Sequence, residues 1–301
     1  MQDILKRNSE FFFVAVLCGL AVVTRGYGIW EWSITGDEVY TARHYAERQA
    51  GHTGPLFYYL VAIFVDTFGL QEWSIRLPSV LLGILGIPAV YLVGRQIFNK
   101  KVGAFSAIIA LANTHTLIHA QYARYYSGVF LFGIISYYTY YLSVKSRNYY
   151  YLAFSFLSGL VGCLFHPTAV LVFLSCLVFS AFTLVSGAGD EYSKKISWVY
   201  VALCLVGLAA GSPFLVEVIV DWAELHGATD VGVASLGLGD LVSGLKGTLR
   251  FLFGTARTIG FPVSVGALFG LLALFGVDVR KGVFFLACVG VPAVALIVGS
   301  K

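Results

Sequence analysis

The 301-residue chain is 58% hydrophobic and 12% charged, about half the charged share of a soluble domain, with a mean hydropathy of +0.81, which excludes a soluble globular enzyme. Its formal charge of +4, from lysines and arginines dispersed in short loops, gives no nucleic-acid surface. All five cysteines (Cys18, Cys163, Cys176, Cys204, Cys288) lie in apolar runs without a CxxC pair, which argues against a disulfide framework and a zinc site and leaves them as small packing residues.

Apolar runs of roughly 17 to 23 residues, the length that spans a bilayer, recur along the chain and predict an all-α fold: a polytopic transmembrane bundle. The run 11–24 follows Lys6 and Arg7 without a small-residue cleavage pattern, so it reads as a retained first helix. Further spans are expected at 73–94, 102–120, 127–144, 149–165, 168–186, 197–216, 260–276 and 283–300, about nine in all. Residues 217–259 read as a second long outer loop with a short amphipathic helix near 246–257. No repeat, low-complexity tract, P-loop or GxGxxG is present, so a single domain over 1–301 is the simplest organisation.

The segment 54–70 decides the topology. It is long enough to cross, yet carries aromatics at its start and Asp66 near its end. If it does not cross, 11 of the 20 lysines and arginines, including every short basic cluster, face the cytoplasm; if it does, only 8 do. Because cytoplasmic loops collect Lys and Arg, the non-crossing arrangement is preferred, with an in-plane or re-entrant helix on the outer face in the first outer loop, 25–72. The N-terminus is then cytoplasmic in a multi-pass protein of the cell membrane, and Asp37, Glu38, His52, Arg76, Arg124 and His166 all fall on the outer side. Ionisable residues converging beside membrane spans mark a functional site.

Three groups could carry chemistry. Asp37 and Glu38 lie just beyond the first helix: Thr35 and Glu38 have capping-box spacing, while Asp37 could serve as a general base. Gln121, Arg124 and Tyr125 sit at a turn between spans, where an arginine is either a snorkelling anchor or a guanidinium fork for a phosphate. His115 and His119 share a helix face, as a metal pair or as polar packing without a third ligand, and His166 precedes Pro167 at a span end. Arg76 begins the second span and is expected to pair with Glu72 or Asp66. No metal site is assigned; a divalent metal on the acidic pair stays open, since one pair suffices for a base or for a metal.

The residues form an ordered series: Asp37-Glu38, Pro55-Leu56-Phe57-Tyr58, Arg76-Leu77-Pro78-Ser79, Tyr91 to Phe98, then Gln121-x-x-Arg124-Tyr125-Tyr126-Ser127. In this order it resembles the GT-C class of polytopic glycosyltransferases, in particular the Rgt-like and dolichyl-phosphate-mannose-protein mannosyltransferase-like group that includes the aminoarabinose transferases. The resemblance implies an inverting enzyme that moves a sugar from a polyprenyl-phosphate donor to a glycan, lipid or protein acceptor at the outer face. It implies Asp37 as base or acceptor orienter; beside it Glu38 is expected in the catalytic pair and Arg124, Gln121, Tyr125, His52, Tyr58, His166 and Arg76 as donor-phosphate or substrate contacts, with membrane lipids as surroundings and no nucleic-acid partner. Two departures are visible. The family often has His or Lys directly before Pro-Pro-Leu, whereas His52 here is followed by Thr53-Gly54-Pro55-Leu56; and relatives usually continue beyond a position such as Lys301, so a fragment or a shortened member is expected. The competing functions are a transporter or flippase for a lipid-linked or anionic solute, disfavoured by the lack of paired repeats and midplane charges, and a non-catalytic subunit.

Overall fold

The computed structural model describes residues 2–34, 36–46, 54–186, 190–225 and 278–299, and among them the secondary structure is entirely helical. In chain order the helices are α1 (Gln2–Gly26), α2 (Asp37–Ala46), α3 (Pro55–Phe68), α4 (Glu72–Ile97), α5 (Lys100–Ala112), α6 (Thr114–Gln121), α7 (Tyr126–Ser146), α8 (Tyr149–Phe165), a 3-10 turn (Pro167–Ala169), α9 (Val170–Val185), α10 (Glu191–Leu225) and α11 (Val279–Gly299). Four helices are long and apolar enough to cross a membrane, or five if the bent pair of α5 and α6 counts as one span, so the expected nine are not reproduced among the described residues. The expected span 260–276 and the amphipathic helix near 246–257 lie outside them.

Two expectations about element boundaries are corrected. The run 102–120 is not one straight helix: α5 and α6 meet at Asn113 with a bend of 58°. Asn113 ends α5 with extended backbone, and its side chain accepts from the Thr116 N–H, capping α6. The Ala110 carbonyl freed at the break is taken up by Thr116 and by the Arg25 guanidinium. The loop expected from 217 begins later, because α10 runs 35 residues to Leu225, about 52 Å at 1.5 Å per residue, beyond the hydrocarbon thickness.

The contacts divide the chain into two compact units, Met1–Thr139 with Ala153–Val170, and Tyr140–Leu152 with Leu171–Lys301. The boundary falls within α7 and α8 rather than in a linker, so the sequence carries no composition shift that would announce it. In the first unit α4 is central. Its Gly94 lies against Gly103 of α5 so closely that a Cβ there would sit 2.9 Å from the Gly103 Cα, and its Gly83 meets Ala120 of α6. Small residues permit such approach between apolar helices, where dispersion and not hydrophobic burial drives association. Leu17 and Ala21 of α1, one turn apart, pack on Ile87 and Tyr91 of α4 and Ala107 of α5. At the end of this bundle Glu10 joins Arg95 at 2.6 Å and Lys100 at 2.6 Å and accepts from the Tyr91 hydroxyl, tying α1 to α4 and α5.

The 14 residues of α3 span about 21 Å, short of a bilayer core. Phe57, Val61 and Val65, at helical spacing, bury one face against Ile75 of α4, Tyr125 and Phe165, while Tyr59 and Ile63 are exposed. Gly54 starts the helix at φ +96°, and a Cβ there would lie 2.5 Å from the Phe165 carbonyl oxygen, so only glycine suits the entry. In the second unit Tyr140 of α7 shares a hydrogen bond of 2.6 Å with Ser180 of α9 and packs edge-on to Tyr200 of α10, with Phe284 of α11 stacked beside it.

Candidate functional site

The site forms where three segments of the first unit meet: the α1–α2 connection with α2, the turn 122–125 between α6 and α7, and His166 at the end of α8. Its frame is a buried ion pair. Arg76 and Glu38, 3% and 1% exposed, form two parallel hydrogen bonds, Nε to Oε1 at 2.8 Å and Nη2 to Oε2 at 2.6 Å. The remaining guanidinium hydrogens go to the carbonyls of Ile29, Trp32 and Ser33, fastening the α1–α2 connection, and Glu38 Oε1 accepts the Ala123 N–H as well. Burying two charges is compensated only by this full complement of partners. Arg76 therefore pairs with Glu38, not with Glu72 or Asp66; Asp66 instead accepts from the Tyr45 hydroxyl.

The turn 122–125 is held from both sides. Thr41 of α2 donates to the Ala123 carbonyl at 2.8 Å, and Ser79 of α4 donates to the Arg124 carbonyl at 2.8 Å and accepts its N–H at 3.2 Å. Gln121 spends its amide hydrogens on the Thr24 and Tyr27 carbonyls at the end of α1. Glu38, Arg76 and Gln121 thus have structural duties in the site, and of the acidic pair Asp37 is the member left open.

On this frame stand Arg124 and Asp37. The two approach at 3.4 Å, with Arg124 14% exposed and Asp37 63%, so an enclosed cation meets a carboxylate open to solvent. Arg124 Nη2 donates to the Tyr125 hydroxyl at 3.1 Å, its guanidinium lies 4.8 Å from the Tyr125 ring centre, and its Nε is buried without a partner. The Tyr125 ring stacks on His166 at 4.1 Å and 16°. Burial, and next the neighbouring Arg124 charge, hold His166 down at about 4, so it is neutral at physiological pH. Burial likewise pushes the Tyr125 and Tyr58 phenols up, with Arg124 pulling the other way. Tyr58, on the inner face of α3, packs against His44 of α2 with ring centres 4.8 Å apart. At neutral pH Arg124 and Asp37 therefore present an enclosed cation beside an exposed carboxylate, set among neutral aromatic and hydroxyl groups.

The structure brings together Asp37, Glu38, Arg76, Gln121, Arg124, Tyr125 and His166, with Tyr58 at their edge. His52, and Thr35 of the capping-box reading, lie outside the described residues. His115 and His119 stack at 6.4 Å, and among the described residues no three His, Cys, Asp or Glu side chains form a set that could hold a metal ion. Sequence reasoning missed Thr41 and Ser79, although a signal was present: Glu38/Thr41 on α2 and Arg76/Ser79 on α4 are both i,i+3 pairs, each placing a charge and a hydroxyl on one helix face.

The family model for dolichyl-phosphate-mannose-protein mannosyltransferase matches residues 52–216, more than half of the chain. No curated protein matches it in sequence. Among solved structures it is similar to ArnT from Cupriavidus metallidurans in the apo state, with a TM-score of 0.55 and 18% identity over 98% of this chain and 60% of that one. The same enzyme bound to undecaprenyl phosphate gives a TM-score of 0.52 at 18% identity over 97% and 60%. The apo oligosaccharyltransferase of Archaeoglobus fulgidus gives a TM-score of 0.54 at 14% identity over 96% and 50%. At these identities the likeness is one of fold, and the chain spans about 60% of the ArnT chain's length.

Proposed function

We propose that this chain, which belongs to the dolichyl-phosphate-mannose-protein mannosyltransferase family, is a membrane glycosyltransferase that moves a sugar from a polyprenyl-phosphate donor to a hydroxyl or similar group of a glycan, lipid or protein acceptor at the outer membrane face. The observation that carries this reading is the juxtaposition of Arg124 and Asp37, an enclosed cation with an unpartnered Nε beside an exposed carboxylate, on a framework fixed by Glu38, Thr41, Arg76 and Ser79. It is supported by the fold shared with ArnT, a protein whose structure was solved with undecaprenyl phosphate bound.

In the proposed reaction the acceptor oxygen attacks the anomeric carbon from the side opposite the phosphate, and Asp37 takes the acceptor proton. The bond between the anomeric carbon and the phosphate oxygen breaks, its electron pair leaves with the polyprenyl phosphate, and configuration inverts. A phosphate is already a good leaving group, so the larger need is a cation for the growing oxyanion charge, which Arg124 supplies through its guanidinium donors. The 3.4 Å contact between Arg124 and Asp37 is loose enough for a donor phosphate to replace the carboxylate, freeing Asp37 for the acceptor. Tyr58 and Tyr125, neutral and partly fixed by packing, add hydroxyl contacts.

The test is sugar transfer from a radiolabelled polyprenyl-phosphate donor in membranes, comparing wild type with Asp37→Asn at matched expression. Loss of a general base lowers transfer by about 10² to 10⁴. Equal transfer by both proteins would refute the role of Asp37. Adding a chelator to the same assay reads out a divalent ion on Asp37, by loss of transfer that returning metal restores.

A further inference from the structure

Beside the Asp37–Arg124 site, and lined by neither residue, is a groove of about 410 Å³. It is bounded by Glu31, Trp32, Gln121 and Tyr122, with the Glu38–Arg76 pair forming part of its wall. Its volume falls within the range of small-ligand sites, roughly 300 to 1,000 Å³. The same two segments that present Asp37 and Arg124, the α1–α2 connection and the turn after α6, also build this groove.

The groove has a fixed aromatic wall. Gly28 has φ +74°, and a Cβ on it would lie 2.9 Å from the Trp32 ring, so the indole rests directly on glycine backbone. The Trp32 backbone N–H donates to the Gly28 carbonyl at 3.3 Å, and the Trp32 backbone carbonyl accepts from buried Arg76 at 2.7 Å. A side chain seated in this way still leaves 47% of its surface exposed. Beside it the Glu31 carboxylate and the Tyr122 hydroxyl are exposed and have no hydrogen-bond or ion-pair partner among the described residues.

A fixed indole next to an uncommitted carboxylate and phenol is the chemistry that recognises a pyranose. The C–H face of the sugar meets the negative face of the ring, and its hydroxyls donate to the carboxylate in charge-assisted bonds. A lipid chain suits the groove poorly, since it would strip water from Glu31 and Tyr122 and return no hydrogen bonds. We propose that the groove is the acceptor subsite and that it binds a sugar, with Trp32 as the stacking platform and Glu31 as the group that orients the acceptor hydroxyls. This deepens the transferase reading and rests on it only for the word acceptor.

The full chain, reconstituted in lipid, tests it with two readouts. The probes are the methyl glycosides of glucose, mannose, galactose and N-acetylglucosamine, titrated against tryptophan fluorescence and then supplied with labelled polyprenyl-phosphate donor. We expect at least one glycoside to give a saturable change that is lost in Trp32→Phe and weakened roughly tenfold in Glu31→Gln, with the same glycoside as the sugar acceptor. Donor cleavage to polyprenyl phosphate without a glycoside should be equal in wild type and both variants, which shows that they fold. No saturable change with any glycoside, or a change that both variants retain, overturns the proposal. Asp37-dependent donor cleavage with that negative result sinks the groove and leaves the transferase reading in place. Trp32-dependent binding without any donor cleavage supports the sugar site and sinks the transferase reading.

Discussion

Asp37 and Glu38 are neighbours in sequence with the same acidic chemistry, yet the fold gives them opposite environments. Glu38 faces inward onto Arg76 and the Ala123 N–H, while Asp37, one residue earlier and 63% exposed, faces Arg124 at the surface. Stability and activity should therefore separate between them. Glu38→Ala leaves a buried guanidinium uncompensated and is expected to cost about 3–5 kcal/mol, whereas removing a surface-exposed partner as in Asp37→Asn changes stability by about 1 kcal/mol or less. Thermal unfolding of the detergent-solubilised variants checks this, and equal losses would refute the division of labour. His166 gives a pH signature. Its folded pKa of about 4 lies below the ordinary 6.5, so on acidification the unfolded chain takes the proton first. The stability this group contributes is complete above about 6.5 and is lost as pH falls through the window down to about 4. The melting temperature of wild type should drop across that window relative to its own neutral value by more than that of His166→Asn. Identical pH profiles would contradict the burial of His166 beside Arg124.

At the level of elements, the parts legible in the sequence are those set by periodicity and length. Apolar runs place α4, α7, α8 and α9 within a few residues, and the end of α1 though not its start at Gln2, because span length is dictated by a solvent slab about 30 Å thick and needs no partner to be read. The short in-plane candidate at 54–70 appears as α3, trimmed by Gly54 and Gly69 to 14 residues. What periodicity cannot carry is a break inside an apolar run: Asn113 divides α5 from α6 because its side chain satisfies a new helix start, and a single polar residue in a span gives little warning of that. The end of α10 at Leu225 was missed for the converse reason, since charges at Glu217 and Asp221 read as loop while the backbone stays helical. Site residues were legible by type but not by duty. Asp37 and Arg124 could be named from their surroundings, but that Arg76 would serve Glu38 and three carbonyls depends on the turn between α1 and α2, which no local pattern encodes.

Over the first unit as a whole, side-chain contacts fix which segments share an end of the bundle, and hence which of them a membrane would place on one face. Asp37 precedes α3 and α4 while Arg124 follows α6, yet they lie 3.4 Å apart. With α4 running one way and the bent α5–α6 pair returning, a crossing α3 would put them on opposite faces, roughly 30 Å apart. Its 14 residues are too few for that crossing in any case. The turn after α8 returns to the same end, since His166 stacks on Tyr125. At the start of α5, Arg95 and Lys100 gather on Glu10, with Lys101 beside them. Basic residues collect on the cytoplasmic side, so we expect that end inside and the Asp37–Arg124 end outside. Single cysteines at Tyr40 on α2 and Lys101 on α5, both exposed, report the two ends, and the native cysteines sit in apolar helices and serve as the background control. In intact cells a membrane-impermeant maleimide should label Tyr40→Cys directly and Lys101→Cys only after permeabilisation. The reverse pattern would invert the protein in the membrane and move the proposed chemistry to the cytoplasmic face. Labelling of both from outside would mean that α3 and α4 either both cross or both fail to cross, and would remove the parity on which the outer-face site depends.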